Sequence, residues 1–367
     1  MKIFITYASA GTGHFKAAQA IRDYISTQNQ DFQVRLIDVL EYSNFIFKRM
    51  YKYGYDFLVN HCLWLWSIGF YVTCARIIYP LIRSYTSILN RINTKKAASL
   101  FIQEQPDVII STHFLPSKIA SYLKKRNKIN SKLVTIITDF GVHPFWVTEG
   151  ADIYITASGV TKEKLLSRGV SGEKIKVLGI PVNNKFLQPL DKERLRLKLG
   201  FKKNKLTVLV VTGSFGIGPI EEIVDALHEE VQILVVCARN EKLFKHLKNK
   251  NYSDAKVFGF VDNMHELMAA SDIIVTKPGG VTIAELLITE LAPIFVSAIT
   301  GQETTNLTVI QSYGIGKRAK KINEIKTLVL GYKNNPEKLV AVKERIKQIK
   351  KPKVLEDIFN VICQSSV

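Results

Sequence analysis

A histidine inside a glycine-rich turn is the first feature of the chain that could do chemistry. His14 ends the stretch Ala10-Gly-Thr-Gly-His14, which follows a short apolar run. An imidazole at the mouth of a strand can take a proton from an attacking hydroxyl at neutral pH. A histidine beside a helix N-cap can equally have no chemical role, so the residue by itself is consistent with both interpretations.

Two more glycine turns, in the second half, could hold phosphate. Residues 213–218 (GSFGIG) and 277–280 (KPGG) each lie between a predicted strand and a predicted helix. Glycines let the backbone approach a ligand, and a helix N-terminus offers unsatisfied N–H groups and a positive dipole end. The first of these turns is neither a Walker motif nor a G-x-G-x-x-G motif, so a plain structural turn is the alternative. Glu285 follows the second turn and could accept two ribose hydroxyls or simply compensate the helix dipole.

Alternating strand and helix patterns are expected to place these turns at the ends of strands. Short apolar runs rich in β-branched residues predict strands at 2–9, 33–39, 107–112, 132–138, 153–156 and 174–179, and then at 206–213, 232–238, 256–260, 272–277 and 292–297. The helical patterns between them predict an α/β fold with two successive doubly wound domains. In such domains ligands bind outside the carboxyl ends of the strands, where the glycine turns are expected.

The alternation is interrupted once, near residue 183. We predict an N-terminal domain at 1–182, a linker region at 183–205 and a C-terminal domain at 206–350. The linker region contains Pro189 and a lysine-rich turn, which are typical of a break between elements.

The chain is strongly basic, and its charge is unevenly distributed. Its 367 residues include 51 Lys and Arg against 32 Asp and Glu, a formal net charge of +19. Residues 1–186 carry +12, residues 187–316 carry −1 and residues 317–353 carry +10. This balance indicates an anionic partner, but because no nucleic-acid-binding motif is recognisable we expect no nucleic acid. The basic stretch at 317–353 has no functional interpretation at this stage.

The cysteines and the apolar runs indicate the compartment and the membrane contact of the protein. The four cysteines are scattered and none has CxxC spacing, which is typical of a reducing compartment without metal or disulfide chemistry. The longest charge-free apolar run, at 62–75, has 14 residues. A helix that spans a bilayer needs about 20 residues, so we expect that this run does not cross a membrane and is an interfacial segment.

Several motifs together resemble one family of glycosyltransferases. They are SAGTGHFKAAQAI (9–21), TDFGVHPFWV (138–147), GIPV (179–182), VFGFVDNMHELMAASDIIVTKPGGVTIAEL (257–286) and GQETTN (301–306). The combination covers nearly the whole chain and resembles the monogalactosyldiacylglycerol synthases and the bacterial processive diacylglycerol glucosyltransferases. The peptidoglycan lipid N-acetylglucosaminyltransferase is a more distant resemblance. A threonine between the glycines of the first motif is a departure that the family pattern tolerates.

The resemblance implies a GT-B glycosyltransferase fold, in which two Rossmann-like domains face each other across a cleft. The N-terminal domain would hold the lipid acceptor, and the C-terminal domain would hold the uridine diphosphate (UDP) sugar. A C-terminal helix within 353–367 would join the N-terminal domain.

The resemblance also implies roles for residues of the nucleotide-sugar site. These are Ser214 and Phe215 at the phosphates, Phe260 and Val261 at the uracil, Gly279, Gly280, Val281 and Thr282 at the diphosphate, Glu285 at the ribose, and Gln302, Glu303 and Asn306 at the hexose. Lys277 would stabilise the leaving diphosphate, or it is an exposed lysine at a strand end. No DxD motif is obvious, so we expect neither a metal nor another cofactor.

The catalytic and acceptor residues would come from the first half. His14 would be the base, with Asp139 in the catalytic group, and His143 would lie beside the acceptor. Gly11, Gly13, Trp64 and Trp66 would belong to the acceptor and membrane region.

Residues 45–96 combine basic and aromatic side chains. They contain eight basic residues, one acidic residue (Asp56) and the aromatic residues Phe45, Phe47, Tyr51, Tyr53, Tyr55, Phe57, Trp64, Trp66, Phe70, Tyr71, Tyr79 and Tyr85. Aromatic rings favour the headgroup level of a bilayer, and Lys and Arg meet anionic lipid. We predict that this segment docks on an anionic membrane surface. The alternative is an ordinary helical core with a solvated charged face.

These expectations converge on one function. The protein would be an inverting glycosyltransferase, peripheral or monotopic at the cytoplasmic face of a membrane. It would move glucose or galactose from UDP-glucose or UDP-galactose to diacylglycerol. The alternatives are an enzyme of the same fold with another lipid acceptor, such as a polyprenyl-linked saccharide, and a non-catalytic nucleotide-sugar-binding protein.

Overall fold

The computed structural model describes residues 1–54, 57–58, 62–75, 78–296 and 298–363. Some residues named in the sequence predictions therefore lie outside the described residues: Tyr55, Asp56, Ser297 at the end of a predicted strand, and the tail 364–367 of the predicted last helix.

The chain divides into two compact units, each made of more than one segment. The first unit comprises Met1–Asn184, Ile299–Thr305 and Lys353–Val367. The second unit comprises Lys185–Ala298 and Asn306–Pro352. The segment around GQETTN therefore begins in the first unit and ends in the second.

The first unit is built on a six-stranded parallel sheet. Its strands are β1 (Lys2–Tyr7), β2 (Gln33–Asp38), β3 (Val108–Ser111), β4 (Lys132–Ile136), β5 (Ile153–Thr156) and β6 (Ile175–Val177). They lie in the order β2-β1-β3-β4-β5-β6, with every pairing parallel. The strand order reverses between β1 and β3, which is where doubly wound sheets bind ligands.

Helices cover this sheet and extend beyond it. They are Thr12–Gln28, Phe45–Arg49, Leu63–Cys74, Tyr79–Asn93, Lys95–Glu104, Phe114–Lys125, Gly159–Leu166 and Val354–Cys363, with a π-helical turn at Met50–Gly54 and short 3-10 turns at Pro144–Trp146 and Gly172–Lys174. The last helix packs on the first unit, since the ring of Phe359 lies 6.2 Å from Tyr24 and 6.3 Å from Phe32.

The second unit repeats the plan. Its strands are β7 (Thr207–Val211), β8 (Gln232–Val236), β9 (Ala255–Phe258), β10 (Ile273–Thr276), β11 (Ala292–Phe295) and β12 (Lys317–Arg318), in the parallel order β12-β11-β10-β7-β8-β9. Its helices are Lys192–Lys198, Ile220–Leu227, Glu241–Asn249, Met264–Ala270, Gly280–Ile288, Ile322–Asn334 and Pro336–Ile349, together with the end of Gln302–Ser312 and the 3-10 turn Asn184–Phe186 at its start. Here the strand order reverses between β10 and β7.

The predicted α/β class with two successive doubly wound parallel sheets is confirmed. The strand β12 is not predicted by the sequence analysis. Lys317 pairs with Ile294 and Arg318 with Phe295, but both β12 side chains are exposed and charged. A two-residue edge strand of this kind leaves no hydrophobic pattern to detect.

The segment predicted as a linker region, 183–205, packs largely on the second unit. Its helix Lys192–Lys198 buries Arg196, which is 5% exposed. The Arg196 guanidinium donates to the Asp272 carboxylate at 2.5 Å and to the Ala270 carbonyl at 2.8 Å. A guanidinium leaves water only when it finds such partners, so this helix is an ordered part of the second unit.

Within the described ranges, no single helix is long and apolar enough to cross a bilayer. The helices Trp64–Cys74 and Tyr79–Asn93, bent by 107° to each other, meet the length and composition criteria only as a pair.

Candidate functional site

The reversal point of the first sheet brings His14 next to the residues that follow β3. The helix Thr12–Gln28 begins right after the turn at Gly11, whose φ is +99°, and His14 lies in its first turn. The Thr112 hydroxyl donates to the His14 carbonyl oxygen at 2.9 Å. Gly11 thus caps the helix and Gly13 lies in its first turn, and together they hold His14 at the carboxyl edge of the sheet.

The hydrogen bonds of the His14 ring assign its tautomer. Nδ1 lies 2.8 Å from the Thr112 carbonyl oxygen and 2.9 Å from the Thr138 hydroxyl. Because a carbonyl oxygen only accepts, Nδ1 carries the proton and donates. In the neutral ring Nε2 is then the basic nitrogen, with its lone pair available to accept a proton.

The surroundings of His14 keep the ring neutral. The His113 ring lies 4.6 Å away edge-on, and the Trp146 ring lies 6.2 Å away. Burial among these groups lowers the pKa of His14 below its ordinary value, although the charge of Asp139 and the Thr112 carbonyl act to raise it. An imidazole with a lowered pKa is unprotonated at neutral pH, as a general base requires.

Asp139 is buried beside this ring and is held by a residue from the GQETTN segment. It is 5% exposed, and its Oδ2 accepts a hydrogen bond from the Gln302 amide at 2.6 Å. The same segment is anchored at Gly301, whose φ is +98° and against which the Phe70 ring packs so closely that a Cβ would clash. In this structure Gln302, predicted at the hexose, therefore contacts Asp139. Glu303 accepts from the Ile299 amide at 2.7 Å.

His143, predicted beside the acceptor, has both ring nitrogens engaged. Nδ1 accepts from the Phe145 amide at 3.2 Å, and Nε2 lies 3.0 Å from the Thr73 hydroxyl. Burial, Arg168 and Lys118 lower its pKa to about 4. His143 therefore caps the turn Pro144–Trp146 as a neutral ring, and its place beside the acceptor stays a prediction.

The reversal point of the second sheet lies between the two other glycine turns. The turn after β7 has positive φ at Gly213, Gly216 and Gly218, of which Gly216 has no room for a Cβ against the Cys237 carbonyl. Ser214 is half-buried and Phe215 is 45% exposed in this turn. The loop thus presents backbone groups together with Ser214 and Phe215, and it follows the strand that pairs with β10.

The turn after β10 leads directly into a helix N-terminus. Gly279 is the N-cap of the helix Gly280–Ile288, so the amides at Gly280, Val281 and Thr282 lack intrahelical partners. Lys277 and Thr282 are half-buried, and Gly280 and Val281 are buried. This combination of glycine turns and a helix N-terminus is suited to binding a diphosphate.

Other residues predicted for the nucleotide-sugar site differ in exposure. Glu285 is 4% exposed in the second turn of the helix, which places it beyond the first turn where dipole compensation acts. Asn306 is fully buried, and its amide donates to the Pro278 carbonyl at 3.1 Å, so it braces the KPGG turn. Phe260 is 70% exposed after β9, and Val261 is half-buried.

The segment 45–96 divides into residues that face inward and residues that face water. The Trp66 indole donates to the Thr300 carbonyl at 3.1 Å, the Tyr79 hydroxyl donates to the Pro144 carbonyl at 2.8 Å, and Tyr51 packs against His113. Trp64 is 67% exposed and Tyr71 is 60% exposed. The core interpretation therefore describes the inward-facing part of the segment, and docking of the exposed part stays a prediction.

The helix Tyr79–Asn93 carries the clearest exposed apolar face. Leu81, Tyr85, Ile88 and Ile92 recur at helical spacing and are 75%, 65%, 52% and 56% exposed. Side chains three and four residues apart share one helix face, so these four form a continuous row, here called the apolar stripe.

Three residues near His14 were not singled out by the sequence analysis: Thr112, His113 and Thr138. Thr138 opens the TDFGVHPFWV motif, which was the available signal. Thr112 and His113 directly follow β3. The sequence does not give the strand order, so it does not show that the sheet reverses next to β3. Among the described residues, no group of three or more His, Cys, Asp or Glu could hold a metal ion.

Comparisons with known proteins give consistent results. The sequence model of the monogalactosyldiacylglycerol synthase family matches residues 14–182, and that of the glycosyltransferase family 28 C-terminal domain matches residues 207–314. A processive diacylglycerol beta-glucosyltransferase of Staphylococcus epidermidis is 29% identical, over all of this chain and 94% of that protein. Monogalactosyldiacylglycerol synthase 1 of Arabidopsis thaliana is 32% identical over 89% of this chain, which spans 64% of that protein.

Solved structures support the fold. MurG of Acinetobacter baumannii superimposes with a TM-score of 0.60 at 13% identity, covering 99% of both chains. HepE of Anabaena, in complex with UDP-glucose, gives a TM-score of 0.56 at 14% identity, covering 99% of this chain and all of that one. WaaG, a glycosyltransferase of lipopolysaccharide biosynthesis, gives 0.56 at 12% identity, with 99% of both covered. The predicted GT-B class is thereby confirmed.

Proposed function

Since the chain belongs to the glycosyltransferase family of the processive diacylglycerol glucosyltransferases and the monogalactosyldiacylglycerol synthases, we propose that it transfers a hexose from a UDP-sugar to diacylglycerol. The protein is thus a glycosyltransferase. UDP-glucose and UDP-galactose are the donors that fit its relatives, and the product would be a membrane glycolipid.

The observation that carries this proposal is the state of His14. Its Nδ1 proton is committed to the Thr112 carbonyl and the Thr138 hydroxyl, so Nε2 is the basic atom of a ring with a lowered pKa. Glycosyl transfer to a lipid hydroxyl requires one such base, because a primary alcohol does not ionise at neutral pH.

The hexosyl transfer needs one base, which takes the acceptor proton, and one leaving group, which is UDP. The acceptor oxygen forms a bond to the anomeric carbon while the bond from that carbon to the diphosphate oxygen breaks. The hydroxyl proton passes to Nε2 of His14, and the electron pair leaves with UDP. A single displacement of this kind inverts the anomeric configuration.

The turns of the second unit support binding of the leaving group. The amides at Gly280, Val281 and Thr282, which lack intrahelical partners, and the positive end of that helix would meet the diphosphate, with Lys277 as a nearby cation. Preorganised donors of this type stabilise charge that develops as the bond breaks. In the same proposal Glu285 holds the ribose, and Phe260 and Val261 receive the uracil.

The apolar stripe supports association with a membrane. Diacylglycerol stays in the bilayer, so its enzyme must work at the bilayer surface. A helix that leaves four large apolar side chains in water gains free energy when a membrane covers them. We place the protein on the membrane as a peripheral or monotopic enzyme, with basic residues of segment 45–96 facing anionic lipid.

The experiment that tests this function is a product assay. The purified chain is incubated with a panel of labelled UDP-sugars and with diacylglycerol or polyprenyl-linked acceptors in vesicles, and products are resolved by mass spectrometry. We expect a hexosyl-diacylglycerol. His14→Ala should abolish it while leaving UDP binding intact, whereas His246→Ala, at an exposed histidine paired with Glu221, should retain activity.

The other outcomes of this assay would each indicate a different function or a different base. Product on polyprenyl acceptors alone would identify the other acceptor class, and UDP binding with no turnover on any acceptor would indicate a non-catalytic sugar-nucleotide-binding protein. Turnover retained in His14→Ala would remove His14 as the base.

A further inference from the structure

Two uncharged oxygens hold the Nδ1 side of His14. The Thr112 carbonyl lies 2.8 Å from Nδ1, and the Thr138 hydroxyl lies 2.9 Å from it. In the serine protease triad a carboxylate occupies this position and stabilises the imidazolium. Here the charged group, Asp139, is bonded to Gln302 and acts on His14 through space.

The two acceptors differ in how they are built. Thr112 offers its backbone carbonyl, and its hydroxyl holds the His14 backbone at 2.9 Å, so this contact is part of the main-chain framework. Thr138 is 4% exposed, follows β4 and offers a side-chain oxygen. Because Nδ1 has one proton, the two oxygens share it, and the threonine hydroxyl is the acceptor that a point substitution can remove.

We propose that Thr138 is a positioning residue that holds the His14 ring by its Nδ1–H and stabilises the imidazolium formed when Nε2 takes the acceptor proton. This inference rests on the proposed function, in which His14 is the base.

The absence of charge on the two oxygens at Nδ1 affects the protonation of His14. A carboxylate at Nδ1 would raise the pKa of the imidazole and protonate it near neutral pH, whereas a hydroxyl and a carbonyl favour the imidazolium more weakly. Among the described residues, Asp139 acts on the ring by its charge and His113 packs against it. His113 is itself neutral, because burial holds its pKa well below the ordinary value. His14 can therefore stay unprotonated before the reaction and still be stabilised when it becomes charged.

The test uses two variants of the full-length protein. Thr138→Val keeps the shape and removes the acceptor, and Thr138→Ser keeps the hydroxyl. Since hydrogen bonds to a charged group are the stronger ones, we expect Thr138→Val to lower kcat by about 10- to 100-fold with the KM for UDP-sugar unchanged. Thr138→Ser should recover most of that rate.

The pH profile separates positioning from a general loss of structure. Removing an acceptor from Nδ1–H disfavours the imidazolium, so the acidic limb of kcat/KM should move to lower pH in Thr138→Val. An unchanged acidic limb in Thr138→Val would overturn the proposal.

A titration of the His14 ring by NMR keeps this test independent of catalysis. Thr138→Val should lower the imidazole pKa relative to the wild-type chain, measured in protein whose thermal unfolding shows that it is folded. If the wild-type chain transfers no hexose, the proposed function is wrong. The ring titration still shows whether the Thr138 hydroxyl stabilises the charged form of His14. An unshifted pKa in folded Thr138→Val would refute the role of Thr138.

Discussion

Removing part of the apolar stripe should release the protein from vesicles. Leu81 and Ile88 lie one above the other on the helix Tyr79–Asn93 and are 75% and 52% exposed. We consider the double variant Leu81→Ser and Ile88→Ser. Neither side chain is part of the core, so the variant should fold as the wild-type chain does.

The magnitude follows from the exposed fractions. Burying a whole Leu or Ile side chain is worth about 2 kcal/mol, so a bilayer that covers three quarters of Leu81 and half of Ile88 gains about 2.5 kcal/mol. Losing that contribution corresponds to a membrane partition coefficient about 70-fold lower.

The assay is sedimentation with vesicles of phosphatidylcholine and phosphatidylglycerol at constant ionic strength. Leu197→Ser is the matched control, since Leu197 is 54% exposed on the helix Lys192–Lys198 of the second unit. We expect the control to bind as the wild-type chain does. Raising the salt concentration should weaken wild-type binding, because the electrostatic contribution is screened, but should leave the ratio of wild type to double variant nearly unchanged.

Equal partition of the wild type and the double variant would refute the docking argument for the apolar stripe. A loss of the same size in Leu197→Ser would also refute it, because binding would then depend on exposed apolar area in general.

Two further predictions concern the two reversal points. On its acidic side the transfer rate should fall only below the ordinary pKa of a histidine, because burial lowers the pKa of His14 and the ring loses its basic lone pair when protonated; a rate profile across pH measures this. Thr212→Val should raise the free energy of unfolding by about 1 kcal/mol, since within the described part of the chain the buried Thr212 hydroxyl has no hydrogen-bond partner. Thr207→Val is the matched opposite case: the Thr207 hydroxyl accepts from the Gln232 amide at 3.1 Å, so urea denaturation should show lower stability.

The sheets were predictable because their strands are almost uniformly buried. β7 and β8 have every residue buried, so their sequences TVLVV and QILVV are continuous apolar runs apart from the first residue. Parallel strands covered on both faces produce such runs, and the helix patterns between them determine the α/β class. The same reasoning places the glycine turns, since they follow the apolar runs directly.

The contacts that define the site could not be predicted, because they join residues far apart in sequence. Thr138 meets His14 across 124 residues, and Gln302 meets Asp139 across 163. The sequence does not indicate that the Thr138 hydroxyl contacts the His14 imidazole. It also does not indicate that Trp66 faces inward while Trp64, two residues earlier, is exposed. Trp64 and Trp66 lie on different sides of one helix, and only the strand and loop packing around Thr300 decides which is which.

The basic stretch at 317–353 shows why charge counted along the sequence overstates the charge offered to a partner. Lys350 pairs with Glu290 at 2.7 Å and Lys333 with Glu230 at 2.9 Å. Both carboxylates belong to the stretch 187–316, whose net charge is −1, so part of the +10 is balanced inside the second unit. Such pairs add little stability, but each one removes a free cation from the surface. We therefore propose that the exposed apolar stripe of the first unit, and not the most basic segment, docks on the membrane.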